Sequence, residues 1–169
     1  MQDVHAGSGG VLLADRSWQR QAFRITELKR WRSRLGMPVN IEPKFFPVDV
    51  DLASCVVIAA QQGGLPVADF VNAVMRAIWA EDQNVADPGV LVAIAERCGL
   101  KGRGLLDAAD AEAVRAEYRG NTERALSAGV FGSPFYAFAG ELFWGQDRLD
   151  MLEEAIVRSV SGYPGRGPD

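Results

Sequence analysis

The sequence is poor in the residues that support metal binding or disulfide chemistry. It contains one histidine, His5, and two cysteines, Cys55 and Cys98. The cysteines are too far apart for a Cys-x-x-Cys pair, and both lie among apolar residues, which predicts buried free thiols. These shortages argue against a metal centre, a Cys–His dyad and thiol–disulfide exchange.

The chain also lacks long hydrophobic runs and an excess of positive charge. No apolar segment approaches the roughly 18 residues of a membrane span, and residues 1–7 have neither the basic nor the apolar region of a signal peptide. The 169 residues carry a net charge of -4, with 48% hydrophobic and 24% charged residues. We therefore expect a cytoplasmic globular protein of one domain, or one domain with an insertion, that binds neither nucleic acid nor membranes.

Helical patterns dominate the chain before Gly129. Apolar spacing and boundary residues predict helices at about 17–35, at 49–62, from Pro66, from Asp87-Pro88, and from Asp110 to Gly129. By contrast, we expect the glycine-rich residues 1–17 to form a loop or a frayed terminus and Leu105-Leu106 to form a short turn.

A short hairpin and a helix follow. Ser133-Pro134 leads into an apolar strand at 135–138, and Ala139-Gly140 reverses the chain into a second strand. Gly145-Gln146-Asp147 then leads into the last helix, since Asp is a common residue at helix starts.

The segments GVFGSPFY and GELFWGQDRLDMLEEAI resemble 2-hydroxychromene-2-carboxylate isomerases, relatives of the kappa-class glutathione transferases within the DsbA-like thioredoxin group. The resemblance implies an α/β, thioredoxin-like fold with an all-helical insertion and a cis bond before Pro134. On this basis residues 1–48 and 129–160 form a partial thioredoxin-like domain, 49–128 form the insertion, and 161–169 form a disordered tail.

The strand–helix–strand unit at the N-terminus of the family has no counterpart in the sequence pattern of this chain. Such a unit takes about 30 residues or more, whereas only residues 1–16 precede the first predicted helix and none alternates like a strand. We therefore expect a mostly helical chain with a C-terminal hairpin, whose strand at 135–138 exposes an unpaired edge. A truncated or mis-started form of a longer enzyme and a degenerate copy are two hypotheses for this departure.

The resemblance implies a glutathione-dependent cis–trans isomerase that acts on a small aromatic substrate during aromatic-compound degradation, and it allows a homodimer. An isomerase inactivated by truncation and a glutathione-transferase-like side activity are alternatives. So is a non-catalytic module that self-associates or binds a partner through the open strand edge.

The resemblance assigns glutathione contacts to five residues. The Ser133 backbone would pair with the cysteinyl unit of glutathione, and Pro134 would fix the shape of this cradle. Asp147 would accept the γ-glutamyl ammonium, Arg148 would lie near its carboxylate, and Trp144 would line the pocket. Taken alone, the same residues also fit a turn serine, a capping aspartate, a solvated arginine and a core tryptophan.

No residue is assigned as the serine that activates the sulfur. Ser8 and Ser17 do not follow a predicted strand, and residues 9–20 contain no asparagine of the kind that relatives use to hold the glutathione backbone. Asp49 stands where relatives often carry an asparagine after FPV. The catalytic residues are therefore left unassigned.

Overall fold

The structure, a computed structural model, describes residues 2–160, which form eight α-helices and a two-stranded antiparallel sheet. The helices are α1 (Gln2–Ser8), α2 (Trp18–Leu35), α3 (Asp51–Gln62), α4 (Ala68–Trp79), α5 (Pro88–Arg97), α6 (Gly102–Ala108), α7 (Glu112–Ser127) and α8 (Leu149–Val160). The strands are β1 (Phe135–Phe138) and β2 (Glu141–Trp144). The predicted mostly helical chain with a C-terminal hairpin is confirmed, and the predicted disordered tail at 161–169 lies outside the described residues.

The chain divides into two compact units. One unit comprises the residues up to Asp15 and those from Thr122 onward, and the other comprises Arg16–Asn121. The domain boundaries that the resemblance implies stay a prediction. None of the helices in the described range combines the length and the apolar character that crossing a membrane requires.

The core of the unit 16–121 is built from apolar helix faces. Its largest fully buried side chains are Val56, Phe70, Val85, Leu91, Ile94 and Cys55. The predicted start of α5 is confirmed, because Asp87 Oδ1 accepts a hydrogen bond from the Gly89 N–H at 2.7 Å and Pro88 occupies the first turn.

The prediction of a short turn at Leu105-Leu106 is wrong, because these residues lie in α6. Leu105 is buried in the core. Gly102 allows the helix to approach α5, since a Cβ at this position would lie 2.6 Å from the Val92 carbonyl oxygen. Tertiary packing therefore extends a segment whose glycines favour a turn.

Helix α2 forms where it is predicted, but none of its residues is fully buried within the described structure. It ends at Gly36, which adopts a left-handed conformation with φ 62°. The proline-rich segment that follows packs onto α4: the Phe46 and Trp79 rings lie 4.6 Å apart, and the Arg24 guanidinium lies 5.1 Å from the centre of the Phe46 ring.

The prediction of a loop at the start of the chain is also wrong in part, because α1 covers Gln2–Ser8. Val4 is buried. Gly7 faces Leu126 of α7, where a Cβ would lie 2.9 Å from a Leu126 methyl group. The helix therefore forms through tertiary contacts that the sequence at the start of the chain, with glycines at 7, 9 and 10, does not reveal.

The hairpin joins β1 and β2 through a two-residue turn at Ala139-Gly140. Both turn residues have positive φ, 49° and 85°, a conformation whose twist matches that of the strands. The register pairs Phe135 with Trp144 and Phe138 with Glu141. Helix α8 packs against both strands, and Phe143 is buried on one face of the hairpin.

Candidate functional site

The Ser133–Pro134 peptide lies immediately before β1, and its bond is cis, as the resemblance implies. The Pro134 carbonyl oxygen accepts a hydrogen bond from the Gly145 N–H at 3.1 Å. This bond joins the segment that enters β1 to the segment that leaves β2. As a result, Ser133-Pro134 and the turn that contains Asp147 meet at the same end of the hairpin.

The hydrogen-bond pattern of the hairpin leaves the other edge of β1 open. Because the turn has two residues, the main-chain groups of Phe138 and Tyr136 face β2, and those of Ala137 and Phe135 face away from it. Among the described residues, no strand pairs with this outer edge. Ser133 is exposed, and no described residue hydrogen-bonds to its backbone.

Asp147 lies in one turn of 3-10 helix, Gln146–Arg148, that leads into α8. Its Oδ2 accepts a hydrogen bond from Arg148 Nη1 at 2.9 Å, and its Oδ1 faces Gly145. A Cβ at Gly145 would collide with that oxygen, and the φ of 112° at this glycine is one that L residues rarely adopt. A side chain at position 145 would therefore displace the Asp147 carboxylate from the position that it has here.

The Asp147–Arg148 ion pair is accessible to solvent. The two side chains are 50% and 45% exposed, and ion pairs in such surroundings contribute little to folding stability. Both groups can therefore exchange their mutual contact for contacts with a charged ligand at low cost. Their place in the first turns of the C-terminal helical segment also favours a ligand carboxylate, since helix N-termini carry a positive potential.

An aromatic group lies next to Ser133-Pro134. Phe131 packs edge-on against Trp144, with ring centres 4.8 Å apart, and against Phe135 at 5.2 Å. The Trp144 side chain passes close to Gly132, where a Cβ would lie 2.7 Å from the indole nitrogen. Trp144 is 55% exposed, so it lies at the surface rather than in the core.

The sequence motif therefore contains three further residues to which the sequence analysis gave no part in the site: Phe131, Gly132 and Gly145. Each supports an assigned residue through direct contact or close approach, and only the tertiary structure shows those contacts. The signal that was available is their presence within GVFGSP and FWGQDR, where two glycines adjoin assigned positions.

The residues considered for catalysis have local roles in the structure. The Ser8 hydroxyl donates to the Val4 carbonyl within α1 at 2.6 Å, and Ser17 precedes α2 without a side-chain capping bond. Asp49 Oδ1 accepts a hydrogen bond from the Asp51 N–H at 2.8 Å at the start of α3. These contacts give no reason to assign any of the three to catalysis.

A hairpin entered through a cis-proline and followed by a helix, together with the comparisons, defines the class of the protein. The chain belongs to the DsbA-like thioredoxin domain family, which it matches over residues 4–157.

Within this class, the chain is similar to 2-hydroxychromene-2-carboxylate isomerases. It is 29% identical over 133 residues to the isomerase of Sphingobium xenophagum, an alignment that covers 79% of this chain and 66% of the relative. Glutathione S-transferase kappa 1 of Homo sapiens is 24% identical in an alignment 163 positions long, which covers 83% of this chain and 67% of the relative. The chain therefore spans just under two thirds of the length of the Sphingobium isomerase.

A solved structure of a 2-hydroxychromene-2-carboxylate isomerase has the same fold. It superposes on 97% of this chain and 81% of its own chain, with a TM-score of 0.75 and 24% sequence identity. The fold class predicted from the sequence is confirmed.

Proposed function

We propose that the chain is a glutathione-dependent cis–trans isomerase that acts on a small aromatic substrate. In this proposal it binds glutathione at Ser133, Pro134, Trp144, Asp147 and Arg148. The observation that carries the proposal is the hydrogen bond between the Gly145 N–H and the Pro134 carbonyl, 3.1 Å long. It brings a free main-chain edge and a half-exposed carboxylate to one end of the hairpin. A peptide with a charged amino end needs both features.

Each residue has a role that follows from its chemistry. The N–H and C=O of Ser133 would pair with the main chain of the cysteinyl unit, in the manner of an added strand. Pro134 has no N–H and fixes the backbone that presents Ser133. Asp147 would accept the γ-glutamyl ammonium, and Arg148 would contact the neighbouring carboxylate. Trp144 would border the site with an apolar face.

Glutathione would supply a thiolate that adds reversibly to a double bond of the substrate, so that rotation about that bond becomes possible. The chain's own residues hold and orient the tripeptide. No residue of the described chain is assigned to thiol activation. The proposal places the protein in the cytoplasm and in aromatic-compound degradation, consistent with two free cysteines in a reducing compartment.

The test is glutathione affinity in Asp147→Asn, measured by calorimetry and by retention on immobilised glutathione. Removing the charge that faces the ammonium should weaken binding by about tenfold to a hundredfold. Asp150→Asn is the matched control, because Asp150 is an exposed acid in the first turn of α8 and has no assigned contact with the ligand. Equal affinities in all three proteins, or no binding by the unmodified chain, would contradict the proposal.

A second candidate function is a module that associates through the open edge of β1. It is favoured by the lack of a described strand partner for that edge and by the exposed apolar side chains Leu142 and Trp144 on the hairpin. A chain that associates in solution but does not bind glutathione would support this candidate over the first.

A further inference from the structure

One face of the hairpin carries an aromatic group whose chemistry glutathione does not require. We propose that Trp144 and Phe131 form the subsite for the aromatic ring of the substrate, and that Gly132 positions the Trp144 indole. The inference rests on the proposed function, and it names the residues that distinguish an aromatic substrate from an aliphatic one.

The aromatic group consists of Phe131, Phe135 and Trp144 and lies on the face of the hairpin away from Phe143. Side chains alternate between the two faces of a strand, and Phe135 lies directly opposite Trp144 in the register. The centre of the Phe131 ring is 5.2 Å from that of Phe135 and 4.8 Å from that of Trp144, with interplanar angles of 84° and 66°. Phe131 therefore restricts the orientation of the indole, while Trp144 remains 55% exposed.

Gly132 allows the indole to lie against the main chain next to Ser133. A Cβ at Gly132 would lie 2.7 Å from the indole nitrogen of Trp144, so a side chain there would exclude the indole from its position. Consecutive Cα atoms are about 3.8 Å apart, and the edge of the indole therefore lies beside the residue that would pair with the cysteinyl unit of glutathione. The aromatic surface borders the place where the reacting thiol would be held.

The chemistry of this group matches an aromatic ring rather than the tripeptide. The sequence of residues 129–138 contains no Asp, Glu, Lys, Arg or His. Glutathione has no aromatic group, and in the proposed function its charged γ-glutamyl end contacts Asp147 and Arg148 and its cysteinyl main chain pairs with Ser133. Aromatic rings attract one another in offset-stacked or edge-on arrangements with their centres about 4.5–7 Å apart. An exposed indole of fixed orientation offers such a contact to the planar ring of the substrate.

The first test is an NMR titration of the ¹⁵N-labelled chain, with and without glutathione, using two acids as probes. One is trans-cinnamate, and the other is trans-cyclohexylacrylate, which has the same charge and double bond but a saturated ring. The indole N–H signal of Trp144, identified by its loss in Trp144→Leu, should shift with trans-cinnamate. Trp144→Leu should weaken trans-cinnamate binding by about fivefold to thirtyfold and abolish the preference for it over the saturated acid. Glutathione affinity should fall by a smaller factor, because Trp144 only borders the glutathione site.

Trp18→Leu is the matched control, because Trp18 is a tryptophan of α2 that is 74% exposed. This variant should keep the affinities of the unmodified chain for both acids. Equal trans-cinnamate affinity in Trp144→Leu and the unmodified chain would overturn the proposal. So would an unmoved Trp144 indole signal, or a loss of glutathione affinity in Trp144→Leu as large as the loss for trans-cinnamate.

The second test moves the indole without removing it. The added Cβ of Gly132→Ala must displace Trp144, so the indole N–H signal of the free protein should move and trans-cinnamate binding should weaken by about threefold or more. Gly104→Ala is the matched control in α6: apart from the backbone of its own helix, no described atom lies within 4 Å of a Cβ added there. An unmoved indole signal, or unchanged trans-cinnamate affinity in a folded Gly132→Ala variant, would contradict the positioning role of Gly132.

Because Ser133 and Asp147 are unchanged in every variant, glutathione affinity measured on the same samples separates this inference from the proposed function. Glutathione binding by a chain whose trans-cinnamate affinity does not depend on Trp144 would remove the aromatic subsite and leave the proposed function standing. Trp144-dependent binding of trans-cinnamate by a chain that does not bind glutathione would support the subsite and remove the proposed function.

Discussion

At the scale of single residues, the position of the Asp147 carboxylate depends on a neighbouring glycine. Gly145 has φ 112°, and a side chain there would occupy the space of Asp147 Oδ1. The position of the carboxylate in the candidate site therefore depends on the backbone conformation of Gly145 as well as on the Asp147 side chain.

Gly145→Ala should lower both stability and glutathione affinity. The cost of forcing alanine into this conformation is about 1–3 kcal/mol, and the new Cβ must also displace the carboxylate. Thermal unfolding and calorimetry measure the two effects separately.

Gly140→Ala is the control for that experiment. Gly140 also has a positive φ, 85°, but no atom lies within 4 Å of the position of an added Cβ. This variant should lose stability and keep its glutathione affinity. If both variants bind glutathione as the unmodified chain does, Gly145 does not position the Asp147 carboxylate for the ligand.

At the scale of secondary structure, the hairpin contains one position that its turn type disfavours. Ala139 has φ 49°, whereas two-residue turns with two positive φ values favour asparagine followed by glycine. Alanine in this region is less stable by about 1 kcal/mol or more, because its Cβ approaches the following carbonyl oxygen.

Ala139→Asn should therefore stabilise the hairpin by about 0.5–1 kcal/mol. The expected result is slower hydrogen exchange at the β1 and β2 amides that pair with each other. Glutathione affinity should not change, since Ala139 lies at the opposite end of the hairpin from Ser133. Faster exchange in this variant would contradict a turn in which residue 139 has a positive φ.

The elements that could be predicted from sequence are those marked by local chemistry. Asp87-Pro88 fixes the start of α5, Gly36 ends α2, and Ala139-Gly140 marks the hairpin turn. Helices α1 and α6 could not be predicted, because glycines within or directly after them favour turns and they form through the burial of Val4 and Leu105.

The candidate site was predictable in part for the same reason. Ser133-Pro134 and Asp147-Arg148 are adjacent pairs within one motif, so their identity is visible in the sequence. Their proximity depends on the Gly145–Pro134 hydrogen bond, and the aromatic contact of Phe131 with Trp144 depends on the fold. Neither contact has a local sequence signal.

At the scale of the whole molecule, the unit 16–121 protects a thiol. Cys55 is fully buried, and its Sγ accepts a hydrogen bond from Arg115 Nη1 at 3.6 Å. Burial raises the pKa of the Cys55 thiol above its usual value of 9.0, although the charge of Arg115 acts in the opposite direction. The folded state therefore favours the protonated thiol.

This pKa shift predicts how stability responds to alkaline pH. The Cys55 thiol has a higher pKa in the folded state than in the unfolded state. Its contribution to the free energy of unfolding is therefore fully present below about pH 9 and is lost as pH rises through the folded-state pKa. The stability difference between the unmodified chain and Cys55→Ala should therefore narrow above pH 9. Denaturant unfolding of both proteins at several pH values measures this difference in the free energy of unfolding. A difference that widens with pH would contradict the raised pKa.

The most direct test of the glutathione site is a titration of the ¹⁵N-labelled chain with glutathione, followed by NMR. We expect amide shifts to concentrate at Ser133, Phe135 and residues 145–149, and Asp147→Asn to reduce them at equal ligand concentration. Shifts confined to other parts of the chain, or an unchanged spectrum at saturating glutathione, would contradict it.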